Sequence, residues 1–410
     1  MLIYHGKHTF RGEKMEKMGV NWGAVPAQSA QTVVVGHFDV HGVCATALAA
    51  RAFGAREVYT NYPQTSPENL ISTLQNLYAA APGRLQIVIV DIPVDLKNPL
   101  AFIRGLEDLA ARHEVFFIDH HESSLQYLPQ FKNVRTIYVG PSALVMNNFL
   151  LSQIQNPREE DRLLSIIGAI GDRDPEIVKQ GLFTVELQAI SDGMDVLVRQ
   201  PNGALNIARE LIQNPAAALA GARAEGGKIP AAALAQRVGP VAVAQGPLPS
   251  GWGPKALEKL AFATGSWYAV GWGVDERTKQ PVVRAIIRWD VAAKVPNLPM
   301  PGAIARALWP ARNIIGHPAA PSVAATSEAE AQQMAAQWAQ AIAAAATKSA
   351  APATATLIAE SKVGEVLVEI LQRLEQVLEE QRKMYAEYLD LKRRQVELLE
   401  RTGARARAAD

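Results

Sequence analysis

Five of the eight histidines in this 410-residue chain sit in short motifs, most of them beside aspartates, and two of those motifs end apolar runs. His37-Phe38-Asp39-Val40-His41-Gly42 follows Thr32-Val33-Val34-Val35-Gly36, and Asp119-His120-His121 follows Val115-Phe116-Phe117-Ile118. A third run, Ile87-Val88-Ile89-Val90, stops at Asp91, and the apolar stretch 166–171 stops at Asp172. Short β-branched runs read as buried strands. In an open parallel sheet, ligands bind outside the carboxyl ends of the strands. His37, Asp39, His41, Asp91, His120 and Asp172 would then bring three imidazoles and three carboxylates to one edge. That donor set suits two divalent ions sharing one bridging carboxylate, assigned here to Asp91. Two such ions, about 4 Å apart, polarise a phosphoryl oxygen for in-line attack on phosphorus. His121 is placed to donate to the phosphate, and Asp119 to orient an imidazole from behind. Asp172 is favoured over Asp174 as a ligand because it directly follows the apolar run. Asp174 otherwise caps a helix beginning at Pro175. Gly42 lets the backbone come close to the site before a helix begins.

The elements that must position these residues are legible in the alternation of the chain. Strands at 33–35, 57–60, 87–90, 115–118 and 136–139 alternate with helical stretches at 45–53, 67–80 and 99–112, which predicts a mostly parallel α/β sheet. Further helices are expected at 141–155 and 159–170. Residues 186–221 read as helical, then Ala-rich, up to Gly226-Gly227, taken as the first domain boundary. The resulting layout is an N-terminal extension (1–30), a first α/β domain (31–200), a helical linker (201–235) and a smaller α/β domain (236–346). That smaller domain holds strands at 267–274 and 282–289. The tryptophans there (Trp252, Trp267, Trp272, Trp289, Trp309) are read as core, and Cys44 as packing in a small-residue helix. His5, His8 and His113 have no partners in sequence.

Residues 347–361 are a flexible linker by composition, 362–402 a long helix and 403–410 a tail. In the helix, Val363, Ile370, Val377, Met384, Leu391 and Leu398 recur every seven residues, and Leu367, Leu374, Gln381, Tyr388 and Gln395 follow the first five of them by four. This is a coiled-coil seam, so the chain is expected to form a homo-oligomer or to bind a partner helix. The segment 361–410 carries ten basic and ten acidic residues, which fits an interaction helix better than a nucleic-acid arm.

Bulk composition narrows the function classes. Lys+Arg of 41 against Asp+Glu of 40 rules out a broadly electrostatic nucleic-acid binder. A single cysteine excludes an internal disulfide framework. No run of about 18 apolar residues is present, so no membrane partner is expected and the reading is a cytoplasmic protein.

Taken in order, His37-x-Asp39-x-His41-Gly42, Asp91, Asp119-His120-His121 and Gly171-Asp172 resemble the DHH phosphoesterase superfamily. That superfamily includes RecJ-type exonucleases, small-oligonucleotide phosphodiesterases and family II pyrophosphatases. The paired strands followed by Gly316-His317-Pro318-Ala319-Ala320 resemble its DHH-associated domain, and the resemblance spans about residues 31 to 345. It implies one metal on His37, Asp39 and Asp91, and a second on His41, Asp91, His120 and Asp172. It further implies a hydrolase whose associated domain closes over a small nucleotide, a short oligonucleotide or a single-stranded end. Gly316, His317 and Arg288, with Arg284, are the phosphate contacts to expect from that domain.

Two departures stand out. His41 replaces the family's usual aspartate, leaving the centre one charge more positive, which favours Mn²⁺ or another imidazole-accepting ion over Mg²⁺. Asn313-Ile314-Ile315-Gly316-His317 replaces a run of glycines. The rival reading is a catalytically degenerate scaffold that acts through its coiled coil in a nucleic-acid-processing complex. Truncation after Pro352 separates the two: turnover is expected to survive while the oligomer size, read by light scattering after size exclusion, falls.

Overall fold

The computed structural model describes residues 31–55, 57–61, 71, 74–75, 83–94, 97–275, 278–295, 297–315 and 317–350, together with the strand Leu2–Ile3. The coiled-coil segment, Gly316, most of the helix expected at 67–80 and nearly all of the N-terminal extension lie outside them. Residues 1–346 form one compact unit.

The first sheet is wholly parallel. Its strands are β1 (Leu2–Ile3), β2 (Thr32–His37), β3 (Glu57–Asn61), β4 (Gln86–Val90), β5 (Glu114–Asp119) and β6 (Arg135–Tyr138), in the order β1-β6-β5-β4-β2-β3. Alternate residues serve opposite cores. Val34, Val88, Val90, Phe116 and Ile118 pack with α1 (Val40–Phe53) on one face. Val33, Val35, Ile87, Ile89, Val115 and Phe117 pack with α2 (Pro99–Ala110) on the other. Both faces being covered explains why these strands read as unbroken apolar runs. After the short helix α3 (Glu122–Leu125), the α1 side continues through α4 (Ala143–Ser152) and α5 (Glu159–Gly171), then α6 (Pro175–Lys179) and α7 (Val185–Val198). The stretch read as one helical region resolves into α7, α8 (Gly203–Gln213) and α9 (Pro215–Lys228). It breaks at Asn202, in the left-handed region at φ +59°, and at Asn214-Pro215. Gly226 and Gly227 fall in the last turn of α9, where Gly226 sits against the Ala189 carbonyl of α7.

The second sheet is mixed, in the order β11-β12-β10-β9-β8-β7. It comprises β7 (Leu234–Val238), β8 (Val241–Pro247), β9 (Tyr268–Val274), β10 (Pro281–Ile287), β11 (Ile314–Ile315) and β12 (Ser322–Ala324). The helices around it are α10 (Gly253–Thr264), α11 (Trp289–Lys294), α12 (Pro301–Leu308) and α13 (Glu328–Ala350). The expected strand 282–289 ends earlier: Arg288 becomes the N-cap of α11, and Trp289 enters the helix. Trp272 and Trp289 are buried, in line with a packing role. The protein is therefore α/β, with a parallel first sheet as the sequence implied and a second sheet that is mixed and also six-stranded.

Polar and aromatic contacts hold the second sheet's helices to the first domain. Trp289 Nε1 donates to Gln188 Oε1 at 2.9 Å, and Phe183 packs between Phe262 and Trp289. Lys255 Nζ reaches both Asp192 and Asp195 at 2.9 Å, and Arg173 approaches Glu258 at 3.7 Å.

The junction of β2 and α1 is tightly packed. A Cβ on Gly42 would sit 2.5 Å from both the carbonyl carbon and Cβ of His37. Gly42→Ala is expected to destabilise by about 1–3 kcal/mol, since overpacking at this backbone contact has no room to relax. Gly221→Ala, in open space on α9, should stabilise by about 0.5–1 kcal/mol. Urea midpoints of the two variants check the contrast.

Candidate metal centre

Three neighbouring strand ends and two helix ends build the centre. β2 ends in His37, and Asp39 caps α1, its Oδ1 accepting from Gly42 N at 2.8 Å. The close approach at Gly42 therefore seats the first turn of α1, and His41 with it, against the end of β2. Asp91 directly follows β4 and holds a left-handed φ of +59°. Aspartate tolerates that region better than most residues. Its N–H donates to the Ile118 carbonyl at 3.0 Å, continuing the ladder to β5. Asp119, the last residue of β5, is fully buried, and its Oδ1 gathers the N–H groups of His120 (2.9 Å) and His121 (3.3 Å) and the His121 ring nitrogen Nδ1 (2.7 Å). Asp172 caps the C-terminus of α5.

All six expected ligands come together. His37 Nδ1 lies 2.7 Å from Asp39 Oδ2. His41 Nδ1 and His120 Nε2 stand 2.9 and 3.0 Å from the same oxygen, Asp91 Oδ1, and 3.8 and 3.4 Å from Asp172 Oδ2. The two rings meet edge to face with centroids 4.8 Å apart. One potential donor atom each from His37, Asp39 and Asp91 falls within 4.8 Å of the others; the same holds for His41, His120 and Asp172, and for Asp91, His120 and His121. The arrangement fits cations. His41 Nδ1 is buried and, though near Asp91, is not aimed for a hydrogen bond; it has no hydrogen-bond partner among the described residues, and neither do Asp119 Oδ2 and His120 Nδ1. A lone pair of the neutral ring beside carboxylate oxygens is repulsive until a proton or a metal cation stands between them.

The choice between Asp172 and Asp174 has a physical answer. Asp174 is occupied: Oδ2 accepts from Ser142 Oγ (2.5 Å) and Leu144 N (2.8 Å), and Oδ1 from Glu176 N (2.9 Å) as the cap of α6. Asp172 faces the histidines. Arg288 bonds Asp290 through Nε (3.0 Å) and Nη2 (2.7 Å) and lies over the Phe262 ring. His317 is exposed, its Nδ1 accepting from Ala319 N at 3.1 Å. Asn147 is a residue at the centre that sequence reasoning passed over. It is fully buried on α4, with Oδ1 3.2 Å from His41 Nε2. The available signal was the pair Asn147-Asn148 inside the otherwise apolar segment 143–151.

No protein-family model and no curated protein matches the sequence. Among solved structures, the chain is similar to a DHH domain described as belonging to a member of a family of ribosomal proteins, at 13% identity and TM-score 0.44, covering 77% of this chain and 87% of that one. It is similar to the pGpG-specific phosphodiesterase PggH from Vibrio cholerae at 11% identity and TM-score 0.44, covering 77% and 99%. It is also similar to RecJ with Mn²⁺ from Thermus thermophilus at 17% identity and TM-score 0.33, covering 78% of this chain and 52% of that one.

The carboxylates dominate the site's electrostatics when no cation is bound. Burial works against charge on the His41 ring, but Asp91, Asp172 and Asp39 outweigh it and raise its pKa to about 10. His121 is likewise opposed by burial and is raised to about 9, chiefly by Asp119. Asp91 is held well below the ordinary carboxylate range by His41 and His120 despite its burial. Burial pushes Asp172 up, against the pull of the same two rings. Two pH dependences follow from these signs. His41 keeps its Nδ1 proton at neutral pH, so an ion binding there must displace it. Apparent affinity should therefore climb as pH rises towards about 10, and titration calorimetry in buffers of different ionisation enthalpy should show net proton release. In the ion-free protein, the contribution of His41 to stability is fully present below its unfolded pKa of about 6.5 and is lost as pH rises through about 10. Its melting temperature should fall across that interval.

Proposed function

We propose that the chain is a two-metal phosphoesterase of the DHH type, hydrolysing a phosphoester in a small nucleotide, a short oligonucleotide or a single-stranded nucleic-acid end. The observation that carries this reading is the sharing of one buried carboxylate. Asp91 stands between a His37–Asp39 group and a His41–His120–Asp172 group, each compact enough to hold an ion. Bound divalent ions, Mn²⁺ above all, would supply Lewis acidity to the phosphoryl oxygens and counter the negative charge that builds during in-line attack.

The chain's own residues supply the rest. His37 and Asp39 would hold one ion and His41, His120 and Asp172 the other, with Asp91 available to both groups. Asp119 binds the Nδ1 side of His121 and favours its protonated ring, so this half-exposed side chain offers a charged donor to the phosphoryl oxygen. His317 and Gly316 are the contacts proposed for the second domain. Arg288 could join them only by leaving Asp290. No helix among the described residues is long and apolar enough to cross a membrane. A cytoplasmic enzyme assembled through residues 362–402 remains the proposal for context.

The test is metal content together with Mn²⁺-dependent hydrolysis of a short single-stranded oligonucleotide and of a generic phosphodiester. Close to two ions per chain with turnover is the expected result. Asp91→Asn keeps the size and the tolerance for a left-handed φ, and His120→Ala removes one ring. Each should lower turnover by more than about a hundredfold while leaving the melting temperature within a few degrees. Retained turnover in either variant would sink the assignment, and a wild type with no ion and no turnover would favour the scaffold.

A further inference from the structure

We infer that Asn147 is a positioning residue that fixes the tautomer of His41, so that Nδ1 is the nitrogen presented to the ion. The inference rests on the metal-centre reading above and concerns how this chain makes an imidazole serve at that position.

Asn147 Nδ2 donates to the Ser165 carbonyl of α5 at 3.0 Å. A carbonyl oxygen can only accept, so the amide end must face it, and the orientation of Asn147 is settled by chemistry. Asn147 Oδ1 is therefore the atom 3.2 Å from His41 Nε2. That oxygen too can only accept, so Nε2 carries a hydrogen. A neutral imidazole has one N–H, and the lone pair is thereby left on Nδ1. Nδ1 is the buried atom without a hydrogen-bond partner, 2.9 Å from Asp91 Oδ1 and 3.8 Å from Asp172 Oδ2. His41 and Asn147 are both almost fully buried, so water does not compete for either nitrogen.

Packing holds the relay in place. A Cβ on Gly168 would come within 2.8 Å of Asn147 Nδ2 and 3.4 Å of His41 Cδ2. The missing side chain at that point of α5 is what lets α1, α4 and α5 meet around the pair. His120 differs. Its Nε2 faces Asp91 and Asp172, and its outer nitrogen, Nδ1, has no hydrogen-bond partner among the described residues. The two rings thus present opposite nitrogens to the same carboxylates, and of the two only His41 has a hydrogen-bond partner on its outer nitrogen.

The experiment uses the full chain with ¹⁵N-labelled histidine loaded with ¹¹³Cd²⁺, alongside Mn²⁺ titration by calorimetry. The His41 signals are assigned by their loss in His41→Ala. In the wild type, His41 should show cadmium coupling at Nδ1 and a proton on Nε2. Asn147→Leu should weaken the second Mn²⁺ by about ten- to a hundredfold, keep the first, and remove the single His41 tautomer. Coupling at Nε2 in the wild type overturns the inference, whether or not the variants fold. So does wild-type affinity for both ions with an unchanged His41 spectrum in Asn147→Leu. Either result leaves the metal centre standing, whereas a wild type that binds neither Cd²⁺ nor Mn²⁺ overturns the centre and the inference together.

Discussion

One buried carboxylate organises the first domain's functional edge. Asp91 sits at the end of a central strand, with His41 and His120 within 3.0 Å of a single oxygen. An isolated charge at that depth would be strongly disfavoured. Every nearby feature answers that problem. The left-handed backbone turns the side chain inward, the bond from Asp91 N to Ile118 O keeps the turn tied to β5, and two imidazoles close on the oxygen. The centre is a solution to charge burial before it is anything catalytic.

The same constraint explains which helices are small-residue helices. α1 buries Val43, Cys44, Ala45, Ala47 and Leu48 between the sheet and the helices behind it, Gly42 leaves room for His37, and Gly168 leaves room for Cys44 and His41. Cys44 belongs to this packing, its thiol pushed up by burial and far from reactive. A larger side chain at Gly42 would press on His37, lift the start of α1 off β2 and carry His41 away from Asp91. Helix packing and donor geometry are therefore one problem here.

Much of this was legible in the sequence, for a stated reason. Parallel strands covered on both faces write themselves as apolar runs, and the residue that breaks each run must lie at its carboxyl end. His37, Asp91 and Asp119 were found in that way, and their neighbours with them. Asp172 was found only as a preference, because the sequence does not show that Asp174 is consumed in capping α6 and binding Ser142. Asn147 was missed because its meaning depends on two partners, His41 and Ser165, brought together only by tertiary packing. The second sheet was read least well. β7 is mostly exposed, β10 ends before Trp289, and the mixed topology leaves a weaker pattern than parallel strands do.

The donors are spread from residue 37 to residue 172, and that spacing orders their assembly during synthesis. The group His37, Asp39 and Asp91 needs only β2, the start of α1 and β4. The group containing Asp172 waits until α5 has been made and has docked on α1. A nascent chain can thus gather the first set of side chains while the second is still incomplete, and the cluster becomes whole only when the last helix of its framework arrives.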